Sequence, residues 1–484
     1  MKHLVLSTFW NTLASGLQVV LNIARMKLLA LLLGPYGVGI LSQITTYLTL
    51  LSTIPAGLGT GIVKHTAEYA AQDRQRLAQL LTTVKLSLAV LGLASFIVGV
   101  VFSHQIAYSL FGDENLAVYV VLGSIGLPFN FLVSVSQSFI QGLKEIPLLS
   151  KVKIVAALVS LGLLVPMILF WKLSGAILHL GVFAAVNMIL VAVVWHYLRS
   201  RRLPEARGGS FDSGILRIIT LFGVVSIANL AAKNGAFLGI RILIGHQLDM
   251  QAVGIFHAAF VMSTRYLPMV MSTIVIYLLP HLSGISDRQI INAELNRILR
   301  FFLVLITPII MIVIGLREVL IPFIYSREFL PATDLLPPQL LGDFFKITAY
   351  TLGAALLPLG RLRASLLFGV SSQLIFFLLS FGLLQQFGLV GVPTAYALVR
   401  GLYLVLIYLY LRKQINFRFD GRYIRLWLIS AAAVITMVML PTGGLYYLAL
   451  LATLIIWGLL SIDRNDIKQL RSILTTHNSR DNGE

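Results

Sequence analysis

Residues 79–101 read QLLTTVKLSLAVLGLASFIVGVV, a run of twenty-three positions holding one charge, Lys85. A bilayer core about 30 Å thick is crossed by roughly 20 apolar residues of helix. Backbone amides in hydrocarbon must be paired within their own segment, so the run is a transmembrane helix. The pattern recurs along the chain. Runs at 6–33, 38–63, 116–140, 153–171, 175–198, 216–244, 253–280, 298–316, 338–359, 364–384, 389–411, 425–440 and 445–462 bring the expected number of spans to about fourteen. The fold class is therefore an all-α polytopic membrane protein.

Composition agrees. Of 484 residues 58% are hydrophobic and 12% charged, where a soluble domain carries about 25% charged residues. The net charge of +18 would suggest nucleic acid in a soluble protein. Here the charges sit in short loops without an aromatic-studded basic stripe, so no nucleic-acid partner is expected. There is no cysteine, which excludes disulfides, thiol catalysis and Cys-based metal sites. The start, Met1-Lys2-His3, precedes a run containing Asn11, Gln18, Asn22 and Arg25. That run is too polar for a signal-peptide core and reads as an uncleaved first helix.

Orientation follows from the loops. With a cytoplasmic N-terminus, 24 Lys and Arg fall on the cytoplasmic side, among them Lys64, Arg74, Arg76, Lys144, Lys151, Lys153, Arg412 and Lys413. Three, Lys172, Arg317 and Arg327, fall outside. The positive-inside rule then places both termini of a multi-pass membrane protein in the cytoplasm.

The chain also repeats. Val38-Gly39-Ile40 recurs as Val253-Gly254-Ile255, Tyr197-Leu198-Arg199 as Tyr410-Leu411-Arg412, and Lys27 matches Arg241, at offsets of 213 to 215. Six spans per half is an even number, so the halves share one orientation. The expected arrangement is two parallel-related six-helix bundles, 1–200 and 211–412, an extra hairpin at 424–462 turning at Pro441-Thr442-Gly443-Gly444, and a polar tail at 463–484. Such parallel repeats suit transporters that bind substrate between rocking halves.

Charged side chains within spans carry the chemistry. Each costs about 2.5–3.5 kcal/mol at mid-bilayer, and eight cations lie there: Arg25, Lys27, Lys85, Lys233, Arg241, Arg265, Lys346 and Arg400. One acid, Asp343, lies comparably deep. Lys85 is placed to snorkel toward the cytoplasm, and Lys27 toward the other side. Asp343 and Lys346, three residues apart, can pair on one helix face. Asn11, Ser15, Gln18, Asn22 and Arg25 recur at spacings of four and three, a polar stripe that must face a hydrated interior or another helix. In span seven, Ser226, Asn229, Lys233, Asn234 and Arg241 fall within one sector. Asn130, Gln137 and Gln141 add amides, with helix–helix hydrogen bonding as their simplest use. Pro55, Pro128, Pro166, Pro268 and Pro308 are possible kinks. No paired-acid motif, phosphate loop or histidine cluster appears, so neither an enzyme, a cofactor nor a metal is expected.

Several stretches resemble Wzx-type flippases: Lys27-Leu-Leu-Ala-Leu-Leu-Leu-Gly34-Pro35-Tyr-Gly37-Val-Gly39, Gly61-Ile-Val-Lys64-His-Thr-Ala-Glu-Tyr69, Tyr277-Leu-Leu-Pro280-His-Leu-Ser283, and Gln339-Leu-Leu-Gly342-Asp343-Phe-Phe-Lys346-Ile-Thr-Ala-Tyr350. The likeness covers about 1–412, and its branch is the one that translocates O-antigen and enterobacterial common antigen units. It implies a translocase in polysaccharide and lipopolysaccharide biosynthesis. The implied substrate is an undecaprenyl-pyrophosphate-linked oligosaccharide, moved from the cytoplasmic to the periplasmic leaflet, with membrane lipids and the polysaccharide polymerase machinery as partners. It carries Lys27, Arg241, Asp343 and Lys346 with it. Arg25, Lys233, Arg265 and Arg400, with Gln18 and Asn22, rest on burial and periodicity alone. A pyrophosphate needs cations in a wet cavity, and Arg contacts phosphate bidentately. Asp343 and His257 are the candidate titratable groups for coupling. A multidrug antiporter of the same superfamily is the main alternative, though it should show buried acids. A membrane polymerase or ligase is the other, and would need a larger outside loop.

Overall fold

A computed structural model describes residues 2–202, 209–263, 287–356, 358–440 and 446–461, with side chains from Gln18 onward except 199, 201 and 202. Arg265, Pro268, the 277–283 stretch, the 441–444 turn and the tail lie outside the described residues. The described residues are almost wholly helical. In chain order the helices are α1 (Lys2–Leu51), α2 (Thr53–Gln72), α3 (Arg74–Val101), α4 (Ser103–Phe111), α5 (Ala117–Ser124), α6 (Leu127–Gly142), α7 (Ile146–Arg202) and α8 (Ser213–Gln247). There follow α9 (Met250–Ser263), α10 (Arg288–Gly315), α11 (Arg317–Ile324), α12 (Leu336–Ala354), α13 (Leu362–Phe387), α14 (Gly391–Ile415), α15 (Gly421–Met439) and α16 (Tyr446–Ser461). Among the described residues, eight helical stretches are long and apolar enough to cross a membrane.

Three of these contain breaks at residues whose backbone cannot continue a helix. Gly34 has φ 61° and ψ −175° and precedes Pro35, which splits α1 where the sequence separates its first two runs. In α7 the break is at Lys172, with φ 47° and ψ −123°. A Cβ on Gly175 would lie 1.9 Å from the Met167 carbonyl oxygen, and one on Gly391 would lie 2.1 Å from that of Leu383. Residues eight apart in a straight helix are about 12 Å apart. Both stretches therefore fold back on themselves, at Lys172 and at Gly388. The run expected at 116–140 lies within one membrane-spanning stretch, Glu114–Gly142, which is interrupted at Ile125-Gly126 between α5 and α6. There Gly126 abuts the Gly181 backbone, and Pro128 stands in the first turn of α6.

The elements recur at a spacing the sequence motifs announce. Helix α10 begins and ends at an offset of 214 from α3, and α11 begins at the same offset from α4. Asp73 caps α3 by accepting from Gln75 N and Arg76 N. Asp287, its equivalent at that offset, caps α10 through Gln289 N. Each such cap satisfies amides that the first turn leaves free.

The chain forms two compact units. The first comprises 1–258, 321–330 and 369–381. In it α1 packs on α7, α2 on α6 and α8, and α3 on α6, around Leu77, Leu80, Phe139, Val191, Trp195 and Ile219. Lys85 rests its ammonium 4.8 Å from the centre of the Trp195 ring, a cation–π contact.

The second unit comprises 259–320, 331–368 and 382–484. Its α12 packs on α14, and the final helices α15 and α16 pack on α10. Tyr423 shares a 2.8 Å hydrogen bond with Thr348. Trp457 Nε1 donates to Ser430 at 2.9 Å, and Arg317 donates to the Tyr446 hydroxyl at 2.7 Å. The covering is measurable: 56% of the most apolar stretch of α10 is buried, against 22% in α3, its counterpart in the first unit.

Candidate functional site

The polar stripe of the first helix opens onto a cavity. Gln18, Asn22 and Arg25 on α1 line a space of about 300 Å³ together with Gln137 on α6, Lys153 and Ser160 on the first limb of α7, and Phe183 and Asn187 on its second limb. The fold-back of α7 at Lys172 is what brings Ser160 and Asn187 to one chamber. Four amides, one hydroxyl, one aromatic face and two cations line it, and no carboxylate does. Behind this wall His179 Nε2 donates to the Ser160 carbonyl at 2.9 Å, and its ring stacks on Phe183 at 5.8 Å. Arg25 lies within electrostatic reach of His179. Such a lining can accept hydrogen bonds from hydroxyl groups, stack on an apolar ring face and neutralise an anion.

Sequence reasoning places Gln18, Asn22 and Arg25 here and misses three members. Lys153 reads as a loop charge, but α7 begins at Ile146, so it lies two turns inside a helix. Gln137 reads as a helix–helix amide, and Asn187 sits in a run whose apolar neighbours hide it.

The remaining candidates lie elsewhere. Lys27 Nζ donates to the Pro322 carbonyl at 2.7 Å. Beside it the Tyr325 hydroxyl is 3.7 Å from Met26 Sδ. Arg241, 4% exposed, donates from Nη2 to His257 Nδ1 at 3.0 Å, which fixes the imidazole with its proton on the other nitrogen. It is within electrostatic reach of Tyr325. Its Nε and Nη1 find no acceptor among the described residues. Lys27 and Arg241 thus both neighbour the 321–330 segment of the first unit. Lys233 is exposed on α8.

In the second unit Asp343 is fully buried. It accepts from Ser263 Oγ at 2.5 Å and from the Tyr396 hydroxyl at 2.8 Å; Gln339 in turn donates to Ser263 at 3.3 Å. Arg400 lies over the Tyr396 ring at 4.9 Å, and Lys346 lies one turn along α12. Among the described residues no group of three or more His, Cys, Asp or Glu could hold a metal.

The polysaccharide biosynthesis protein family matches residues 28–334 of this sequence. The chain belongs to that family. The lipid III flippase of Escherichia coli (strain K12) is 25% identical over 397 residues, covering 81% of this chain and 94% of that protein. Among solved structures, the lipid II flippase MurJ in an inward closed conformation superposes with a TM-score of 0.70 at 15% identity, covering 94% of this chain and 98% of that one. An inward-facing multidrug resistance MATE transporter of the MOP superfamily gives 0.66 at 15% identity, covering 84% and 94%. This member of the polysaccharide biosynthesis family is thus an all-α, multi-pass membrane protein that shares its fold with those two solved structures.

Proposed function

We propose that this chain flips an undecaprenyl-pyrophosphate-linked oligosaccharide from the cytoplasmic to the periplasmic leaflet by alternating access. Both termini are cytoplasmic in this reading, and the two six-helix halves, 1–200 and 211–412, rock about a shared axis. The observation that carries it is the chamber lined by Gln18, Asn22, Arg25, Gln137, Lys153 and Asn187. Amides and an aromatic face suit sugar hydroxyls, and two cations without an acid suit phosphate. The E. coli relative's description as a lipid III flippase points to the same substrate class. A drug-cation antiporter would need a carboxylate in this chamber, and its lining has none.

The halves are supported by the recurrence of capped helices at one constant offset. They are supported also by a pair of contacts that exchange at the offset of 215: Gly39 lies against Met250, and Gly254 against Pro35. Arg241, Lys233, Arg265, Lys346 and Arg400 are proposed as further phosphate contacts along the path, and Asp343 as the coupling group. The polysaccharide polymerase machinery is the proposed recipient. The test is accumulation of sugar-linked lipid on the cytoplasmic face in a flippase-null strain. Expression of this chain should clear it, and Arg25→Glu should not, at equal protein level. Clearance by Arg25→Glu sinks the reading.

A further inference from the structure

The wall of the polar chamber is held by a residue that does not line it. His179 is fully buried on the second limb of α7, and it reaches back to the first. Its Nε2 donates to the Ser160 carbonyl at 2.9 Å and lies 3.3 Å from the Ser160 hydroxyl. One turn on, the half-buried ring of Phe183 stacks on the imidazole, with centroids 5.8 Å apart and planes 9° from parallel. Ser160 and Phe183 both line the chamber, and His179 does not. The histidine thus touches two lining residues, one on each limb, from behind.

A leucine would fill this space at less cost, since an imidazole takes two polar nitrogens out of water. One of the two is left unmet. With the proton on Nε2, Nδ1 is a bare acceptor, and it has no hydrogen-bond partner among the described residues. A buried polar atom in that state calls for a reason. The reason lies in the two contacts taken together. An amide side chain could donate to the carbonyl but has no ring to stack, and a phenyl ring could stack but cannot donate. Imidazole does both, so it fixes the ring of Phe183 relative to the first limb.

Around Phe183 the chamber suits a flat ring with a polar rim. Asn187 stands a further turn along the same face of the limb, about 6 Å on. On the first limb, Ala156 and Ala157 add only methyl groups to the lining. Arg25 is within electrostatic reach of His179, so cation and aromatic ring share one end of the space. The second limb is fixed between His179 and Phe183 as well: a Cβ on Gly126 would lie 3.1 Å from Gly181 Cα.

We propose that His179 is a positioning residue for the glycan: it sets Phe183 as a platform on which one sugar ring of the substrate stacks, next to Arg25. A pyranose carries C–H groups on its face and hydroxyls at its rim, so the face meets the phenyl ring and the rim meets the chamber amides. This rests on the flippase reading and adds a selection step to it. A carrier lipid bearing a sugar is held better than the same lipid without one.

The test measures binding of two lipids to the purified full chain: undecaprenyl pyrophosphate, and the same lipid carrying one N-acetylglucosamine. Wild type should hold the glycosylated lipid about tenfold more tightly. Phe183→Leu should erase that ratio. His179→Leu should lower it to about twofold or less, and the double variant should fall no further than Phe183→Leu alone, the non-additivity of a residue that acts through another. His179→Gln keeps the donor and His179→Phe keeps the ring, so each should retain part of the ratio. Arg25→Gln should weaken both lipids together and leave the ratio. Folding of each variant is read from its unfolding midpoint; should His179→Leu not fold, His179→Gln carries the comparison. A wild-type ratio in the His179 variants overturns the proposal. So does an equal loss of affinity for both lipids, which marks a purely structural histidine, and so does a wild type that does not distinguish them. Flipping of the glycosylated lipid in proteoliposomes is measured on the same preparation. A ratio that depends on His179 without flipping sinks the transport reading and leaves the platform; flipping without such a ratio sinks the platform alone.

Discussion

Gly39 and Gly254 meet with no room for a side chain on either. A Cβ on Gly39 would lie 1.9 Å from the Met250 carbonyl oxygen, and one on Gly254 would lie 1.9 Å from that of Pro35. Met250 stands to Pro35 as Gly254 stands to Gly39, at one and the same offset of 215. Gly39 thus touches the equivalent of the residue that Gly254 touches, so the two contacts exchange under that offset.

That contact predicts a sharp cost for one methyl group. The obstructing atoms are backbone, so Gly39→Ala and Gly254→Ala must each push α1 and α9 apart. Each is expected to destabilise by about 1–3 kcal/mol, seen as a lowered unfolding midpoint in detergent. Gly162→Ala and Gly382→Ala meet nothing within 4 Å and should be neutral or slightly stabilising. An unchanged midpoint for Gly39→Ala removes the close approach.

In the polar chamber, Arg25→Gln and Lys153→Gln should each weaken binding of the lipid-linked oligosaccharide. A charged hydrogen bond is worth about 1.5–3 kcal/mol, so the loss should be roughly ten- to hundredfold. Arg25→Lys should keep part of the affinity, because the charge remains while the bidentate fork is lost. Titration of fluorescent substrate onto purified variants reads this directly. Wild-type affinity in both Gln variants places the phosphate elsewhere.

For the Asp343 network, Tyr396→Phe removes a hydroxyl donor to a buried carboxylate and should cost about 1–3 kcal/mol. Asp343→Asn should cost a similar amount and abolish the response of transport to an imposed pH gradient. Flux measured in proteoliposomes with and without the gradient decides the matter. A variant that still responds excludes Asp343 as the coupling group.

Orientation is checked by single cysteines, since the chain has none of its own. Arg76→Cys and Lys413→Cys should be silent to an impermeant maleimide added to intact cells, while Asp113→Cys and Arg327→Cys should react. All four positions are exposed. The reverse pattern inverts the topology.

What sequence could reveal here depended on whether the signal was local. The stripe Gln18, Asn22, Arg25 follows from helical periodicity alone, and all three line the chamber. The matching fragments Val38-Gly39-Ile40 and Val253-Gly254-Ile255 share a glycine because the backbone contact made there leaves no room for a side chain. The short helices α4 and α11 were hidden in stretches read as loops, since nine and eight residues give too little periodicity to stand out. Lys153 was misread because a helix start between two spans has no strong cap, and Ile146-Pro147 leaves its boundary open. The partners of Asp343, Ser263 and Tyr396, lie 80 and 53 residues away, and no pattern in one sequence links them.

The first unit is finished by segments made late. Its bulk is complete at Ala258, yet it incorporates 321–330 and 369–381. At about 5–20 residues per second, the ribosome takes roughly 6–25 s to pass from Ala258 to Phe381. For the earlier part of that interval Lys27 lacks the Pro322 carbonyl and Arg241 lacks Tyr325, so the nascent protein holds two cations in the membrane before their neighbours exist. Dependence on an insertase, and exposure to membrane proteases, should concentrate in that window of synthesis and not at the emergence of the individual spans.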